Sequence, residues 1–129
     1  CEISDINNGG VDMSGGDIPS LTPVNNIVEN CHIYDYAKEA TGSAGVTLSG
    51  MGNIVRNNVI HDSTSQGVLF RHESNGMLVE NNEIYNVVRG LFDAGAIYGI
   101  NLLENTGITI KNNYIHDLIY ELGRYLCNI

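Results

Sequence analysis

Acidic side chains are the residues of this sequence with the clearest chemical potential. Asp93 begins the segment Asp93-Ala-Gly-Ala-Ile-Tyr98, and Glu73 follows a strand-like segment one repeat earlier. Two carboxyl groups about 5 Å apart can cleave a glycosidic bond through a covalent intermediate, and roughly 6.5–9.5 Å admits an attacking water. We therefore predict Asp93 and Glu73 as a catalytic carboxyl pair, with Asp12 and Glu104 as reserve acids.

Each of these acids also has a simpler interpretation. Asp93 directly precedes a predicted strand, where an aspartate often bonds its own backbone in a turn. Glu73 reads more simply as a solvated loop acid, and Arg71 as its ion-pair partner. Alternatively, Arg71 and His72 hold hydroxyl groups or a carboxylate of a substrate. The candidate substrate-binding residues are Asp12, Arg71, His72, His61, Tyr98 and Glu104.

The histidines give weaker signals. His61 and His116 share a repeat position with Tyr34 and Tyr85, which predicts a surface ladder. The alternative is that His61 binds a ligand or carries a proton. No His-x-x-x-His or Cys-x-x-Cys pattern supports zinc, so no metal ligand and no cofactor is assigned. A Ca²⁺ site stays an alternative, because stacked Asp and Asn side chains would supply the oxygen ligands that Ca²⁺ prefers.

Composition limits the classes of function. The 129 residues include 15 acidic and 6 basic side chains, for a net charge of -9. A nucleic-acid partner requires a basic footprint, which argues against nucleic-acid binding. No apolar run approaches the roughly 20 residues that span a bilayer. The chain starts with Cys1 inside a repeat, so we expect residues 1–129 to be one domain cut from a longer chain, without its end caps.

A repeat runs through the whole chain. Such a unit cannot bury its own apolar face, so its neighbours must bury it by stacking. Parallel strands about 4.8 Å apart then form an all-β, parallel β-helix of about five coils. A leucine-rich solenoid is disfavoured because no helical segment separates the strands. The repeat lines are residues 26–35, 53–62, 77–86 and 108–117, anchored on Asn30, Asn57, Asn81 and Asn112 at steps of 27, 24 and 31 residues.

Equivalent repeat positions predict columns along the axis. The four anchoring asparagines are predicted to form a ladder in which each amide bonds the next. Cys1 and Cys31 share a column, as a disulfide or as two thiols packed like small hydrophobes. The interior columns are Ile3, Ile33, Ile60, Ile84 and Ile115; Val11, Val46, Val68 and Ala96; and Met13, Leu48, Phe70 and Tyr98. The outward columns are Asp12, Thr47, Leu69 and Ile97, and Ser14, Ser49, Arg71 and Gly99.

These repeats resemble the right-handed parallel β-helix proteins of the pectate-lyase-like, carbohydrate-active superfamily. The residues that carry the resemblance are Ser14-Gly-Gly-Asp17, Ile60-His-Asp62 and Asp93-Ala-Gly-Ala-Ile-Tyr98. Many such proteins are secreted by bacteria and degrade polysaccharides. The resemblance therefore implies a right-handed coil, a polysaccharide or oligosaccharide partner, and a secreted or periplasmic location.

Three functions remain open on these residues. The first is a glycoside hydrolase that acts on an extended glycan in a groove over the Gly-Val strands. The second is a polysaccharide lyase, but a charge of -9 repels a uronate polymer, so a neutral glycan is favoured. The third is a non-catalytic glycan-binding or spacer module. It is favoured by residues 99–104, which differ from the sequence that follows Tyr98 in the proteins it resembles.

Overall fold

The computed structural model describes residues 1–91, 93–100 and 105–118. Thirteen short β-strands form within these ranges, and none of these residues forms a helix that could cross a membrane. The strands are β1 (Glu2–Ile3), β2 (Val11–Met13), β3 (Ile27–Glu29), β4 (His32–Tyr34), β5 (Val46–Met51), β6 (Ile54–Arg56), β7 (Val59–His61), β8 (Val68–Asn75), β9 (Leu78–Glu80), β10 (Glu83–Tyr85), β11 (Ile97–Gly99), β12 (Thr109–Lys111) and β13 (Tyr114–His116).

The strands form three parallel sheets that the chain visits in rotation. The first sheet has the order β1-β4-β7-β10-β13, the second β11-β8-β5-β2, and the third β12-β9-β6-β3. Each strand pairs with the strand three places along the chain, so every coil lies on the previous one. The parallel β-helix is confirmed. The described residues make four complete coils and, with β13, the first strand of a fifth.

Side chains of like kind stack inside the coil. In the first sheet, Ile33 pairs with Ile60, which pairs with Ile84, and all three are fully buried. In the third sheet, Val55 and Val79 are buried in the same way. Full burial of such a side chain is worth about 1.5–3 kcal/mol. The interior isoleucine column that the repeat predicted is therefore a main source of stability.

The last strand of the second sheet differs from the predicted register. Val68 pairs with Ile97 rather than with Ala96, so Ile97 continues the interior valine column. Tyr98 pairs with Leu69 and joins the outward column, so its predicted interior position was wrong. Placing isoleucine against Val68 buries more apolar surface than alanine would, which favours the observed register.

Ala96 instead lies in the same column as three glycines of the preceding coils. A β-carbon on Gly10 would lie 2.6 Å from the carbonyl oxygen of Gly45, and one on Gly45 would lie 2.9 Å from that of Gly67. One on Gly67 would lie 2.8 Å from the oxygen of Ala96. The backbone of each of these three coils thus approaches the next too closely for a side chain, and among the four described residues of this column Ala96 alone carries one.

The asparagine ladder exists, but it lies one residue later than predicted. Asn58 Nδ2 donates to Asn82 Oδ1 at 3.0 Å, and Asn82 Nδ2 donates to Asn113 Oδ1 at 2.9 Å. Asn58 and Asn82 are buried, and their second amide hydrogens bond the carbonyl oxygens of Val28 and Val55.

The anchoring asparagines of the repeat have a different role. Asn30, Asn57, Asn81 and Asn112 all adopt left-handed backbone, with φ between 54° and 56°. Asparagine tolerates this conformation better than most residues. Turn geometry, rather than a ladder of amides, explains why it recurs at this position.

Candidate functional site

A bulge in β8 presents three polar residues on the outer face of the second sheet. The pairing of β5 with β8 shifts so that Ser49 faces Arg71, His72 and Glu73 together, and all three are exposed. Glu73 has a φ of 59°. A non-glycine residue in this left-handed region costs roughly 1–2 kcal/mol. The fold therefore holds Glu73 outward at an energetic cost.

A cleft of about 700 Å³ lies beside this bulge, and we call it the larger cleft. It opens where β2 and β5 end, between the bulge and the loop of residues 14–25. Its lining residues are Ser14, Gly15, Gly16, Asp17, Ile18, Pro19, Ser49, Gly50, His72, Glu73 and Asn75.

Backbone hydrogen bonds fix the loop that walls the larger cleft. Met51 N donates to Gly15 O at 2.7 Å, and Val24 N donates to Met51 O at 3.0 Å. A β-carbon on Gly50 would lie 2.1 Å from Gly15 O, so this contact requires glycine. The wall is thus docked on β5.

Asp17 is a carboxylate of the larger cleft that the sequence analysis did not assign. Its Oδ2 accepts a hydrogen bond from Ser20 N at 2.9 Å. The Ser20 hydroxyl and then this N–H lower the pKa of Asp17 below its ordinary value, so the carboxylate stays ionised in mildly acidic solution. The motif Ser14-Gly-Gly-Asp17 carried the family resemblance, and it was the signal that could have identified this residue.

A smaller cleft of about 360 Å³ lies on the same sheet face, where β2 and β5 begin. Asp12, Thr47 and Arg71 line it. Arg71 Nη2 reaches across β5 to within 3.9 Å of Asp12 Oδ2, and both side chains are more than half exposed. The predicted ion pair between Arg71 and Glu73 was wrong, because the bulge turns Glu73 toward the larger cleft.

Asp93 lies near Tyr98 rather than in either cleft. Burial and then the nearby Asp93 carboxylate raise the pKa of the Tyr98 hydroxyl, which places the two groups together. Asp93 comes before β11. Glu73 lies near the C-terminal end of β8, four residues after Leu69, which pairs with Tyr98. The pair of Asp93 and Glu73 stays a prediction, and Glu104 lies outside the described residues.

The predicted surface ladder of rings is confirmed on the first sheet. His61 lies between Tyr34 and Tyr85, with ring centroids 5.2 and 4.6 Å away and planes within 5° of parallel. Tyr85 stacks in turn on His116 at 4.9 Å. Because neighbouring rings cover both faces of His61, only the edge of its ring is left for a ligand.

The ring edges make short polar contacts. His61 Nε2 lies 2.6 Å from His32 Nε2, so one of these two nitrogens carries a hydrogen and donates the hydrogen bond to the other. His61 Nδ1 lies 2.9 Å from Asp62 Oδ2, but without the alignment of a hydrogen bond. In the ranges 1–91, 93–100 and 105–118, no group of three or more His, Cys, Asp or Glu side chains is placed to hold a metal ion.

The stacked coils agree with a comparison of the whole sequence. A family model described as the right handed beta helix region matches residues 1–122. The chain belongs to this right-handed beta-helix family. The match confirms the handedness that the resemblance implied. No curated protein and no solved structure matches the beta-helix chain.

Proposed function

We propose that this beta-helix protein is a glycoside hydrolase that binds an extended glycan in the larger cleft. The observation that carries the proposal is the backbone of Glu73. It is held in left-handed conformation by the bulge, exposed, and in the same cleft as the ionised carboxylate of Asp17. Strain of this kind persists only where the surrounding structure imposes it, and it concentrates at functional sites.

The two carboxyl groups would take different roles in this reaction. Asp17 stays ionised, which suits the group that attacks the sugar or activates a water. Glu73 is then the acid that protonates the oxygen of the leaving sugar. Asp93, the first choice from the sequence, lies beside Tyr98 and becomes the alternative partner of Glu73.

The cleft favours a neutral glycan over a polyanion. Its charged lining includes Asp17 and Glu73, and the net charge of the chain is -9. A uronate polymer would be repelled. Ile18 and Pro19 add an apolar wall that can contact the carbon–hydrogen faces of a sugar ring. A polymeric substrate also supports the proposed secreted or periplasmic location, which fractionation of the source cells would test.

Activity on neutral and uronate glycan panels, with and without Ca²⁺, tests the proposal. Glu73→Gln and Asp17→Asn are each expected to lower kcat by about 10²-fold or more, since each removes a proton-transfer or attacking group. Asp93→Asn and the distant surface control Glu29→Gln should keep kcat within about twofold. Loss of activity in Asp93→Asn, with Asp17→Asn active, would move the site to Asp93. An unsaturated, ultraviolet-absorbing product would replace the hydrolase by a lyase.

A non-catalytic glycan-binding module is the second candidate. One observation favours it, because the Asp17 carboxylate is already used by Ser20 to shape the loop. Such a module would bind a glycan without cleaving it, and Glu73→Gln would leave its Kd nearly unchanged. Binding without turnover across both panels would establish this function in place of hydrolysis.

A further inference from the structure

The asparagine ladder ends at two cysteines. The backbone N–H groups of Asn82, Asn58 and Cys31 each donate to the amide oxygen of the asparagine in the next coil, at 2.9–3.0 Å. Cys31 has no amide oxygen to continue this series. The nitrogen of Cys1 bonds the carbonyl oxygen of Asn30 instead, at 3.2 Å. The two positions that follow the last amide in this column therefore both carry thiols.

Cys1 and Cys31 are direct neighbours in adjacent coils. His32 N donates to Cys1 O at 2.8 Å, and the next residues along the two strands, Glu2 and His32, are paired. Paired strands lie about 4.7–4.9 Å apart. This spacing falls within the roughly 4.4–6.8 Å between α-carbons that a disulfide accepts.

Both thiols are free, and a small oxidant can reach them. Cys1 is exposed and Cys31 is half-buried. The thiol of Cys31 donates to Glu29 O at 3.2 Å, a weak hydrogen bond that rotation about one side-chain bond would break. Nothing in these contacts holds the two sulfur atoms apart.

We propose that Cys1 and Cys31 form an intramolecular disulfide when the protein meets a disulfide oxidant such as glutathione disulfide. The thiolate of one cysteine attacks the oxidant and releases one reduced glutathione. The second thiolate then attacks the mixed disulfide and releases another. The two cysteines lose two electrons and two protons, and the oxidant is reduced to two molecules of glutathione.

The bond would join β1 to β4. In the described part of the chain, β1 is the outermost strand of the first sheet and has only two residues. A disulfide between Cys31 and Cys1 would join the two coils covalently at the position where the ladder has no further hydrogen bond between amides.

Equilibration of the native full chain with glutathione disulfide tests the proposal. The test uses a Cys127→Ser background, which leaves two thiols, with Cys1→Ser and Cys31→Ser as matched variants. We expect the two thiols to disappear together, with a mass loss of about 2 Da and no mass gain from glutathione. The oxidised protein should melt roughly 5–10 °C higher than the reduced protein.

Other results with the two-thiol protein contradict the proposal. Two thiols that remain after equilibration, a stable glutathione adduct on either cysteine, or a disulfide-linked dimer would show that the two sulfur atoms cannot meet within one chain. A bond that forms without a rise in melting temperature would contradict the stabilisation expected from linking β1 to β4. Either single variant should acquire glutathione instead, which confirms that both thiols are reachable.

Discussion

Residues 26–35, 53–62, 77–86 and 108–117 keep one length in every coil, whereas the stretches before and between them differ in length. We call these the constant and the variable segments. In the constant segments, each left-handed asparagine, ladder amide and buried isoleucine has its counterpart one coil away. The variable segments hold the bulge, the docked loop and both clefts.

The difference shows how one solenoid separates stability from recognition. In a constant segment, the partner of a polar group is its own equivalent in the next coil, so little is left to bind a ligand. In a variable segment, the repeat is interrupted and polar groups face outward. We therefore expect substitutions in the constant segments mainly to lower stability, and substitutions in the variable segments mainly to affect binding or catalysis.

The largest effect is expected in a constant segment. Asn82→Ala removes the amide that bonds Asn58, Asn113 and the carbonyl oxygen of Val55, and leaves buried groups without partners. The free energy of unfolding should fall by about 3 kcal/mol, measured by urea denaturation. Asn81→Ala, one residue earlier and more exposed, is the control and should cost only about 1 kcal/mol. Equal losses at the two positions would contradict the assignment of the ladder.

The second prediction concerns the bulge. Glu73→Gly relieves the left-handed backbone, so the free energy of unfolding should rise by about 0.5–1 kcal/mol while activity in the larger cleft is lost. Glu29→Gly, in the regular strand β3, should instead lose about 1 kcal/mol. Thermal melts of both variants measure the contrast. A destabilised Glu73→Gly protein would mean that the bulge carries no strain.

The third prediction uses pH within a constant segment. Hydrogen bonds from His116 to Asp117 and Glu83, at 2.8 and 3.1 Å, raise its pKa above 6.5, with Asp117 as the larger cause. Its stabilising effect is therefore complete below pH 6.5 and is lost as the pH rises through the raised pKa. The difference in unfolding free energy between wild type and His116→Asn should shrink by about 0.5 kcal/mol over that window. A difference that is constant with pH would refute the assignment.

The smallest effect separates two ion pairs. Arg56 Nε lies 2.7 Å from Glu29 Oε2, and both residues belong to constant segments. In contrast, Arg71 Nη2 lies 3.9 Å from Asp12 Oδ2, across β5. Double-mutant cycles should give a coupling of about 0.5–1 kcal/mol for the first pair and less than about 0.3 kcal/mol for the second. A stronger coupling between Arg71 and Asp12 would mean that the smaller cleft is held closed by this pair.

The fold was predictable from the sequence because its causes repeat. Each coil carries a buried isoleucine and, shortly before it, a turn asparagine. The sequence therefore has a recognisable period, and this period predicts the stacking. The ladder was misplaced by one residue because Asn57 and Asn58, or Asn81 and Asn82, are adjacent and chemically identical. Only the backbone conformation distinguishes the turn residue from the buried amide.

The site was harder to predict because it lies where the repeat is interrupted. Tyr98 was placed one register step away, because the prediction put Ala96 in the column of Val68, whereas Ala96 takes the position of the stacked glycines. The bulge at Glu73 and the docked position of Asp17 depend on backbone shifts that no period describes. Irregular segments must be located by their three-dimensional contacts.

The column of Gly10, Gly45 and Gly67 constrains how such a protein can lengthen during evolution. A coil copied by gene duplication and placed above another brings its carbonyl oxygen to within 3 Å of the site where a side chain would begin. A copy that carries a further coil in this way must keep glycine there, while the exposed positions of the same variable stretch can diverge. One residue without a side chain thus sets the condition for adding new coils.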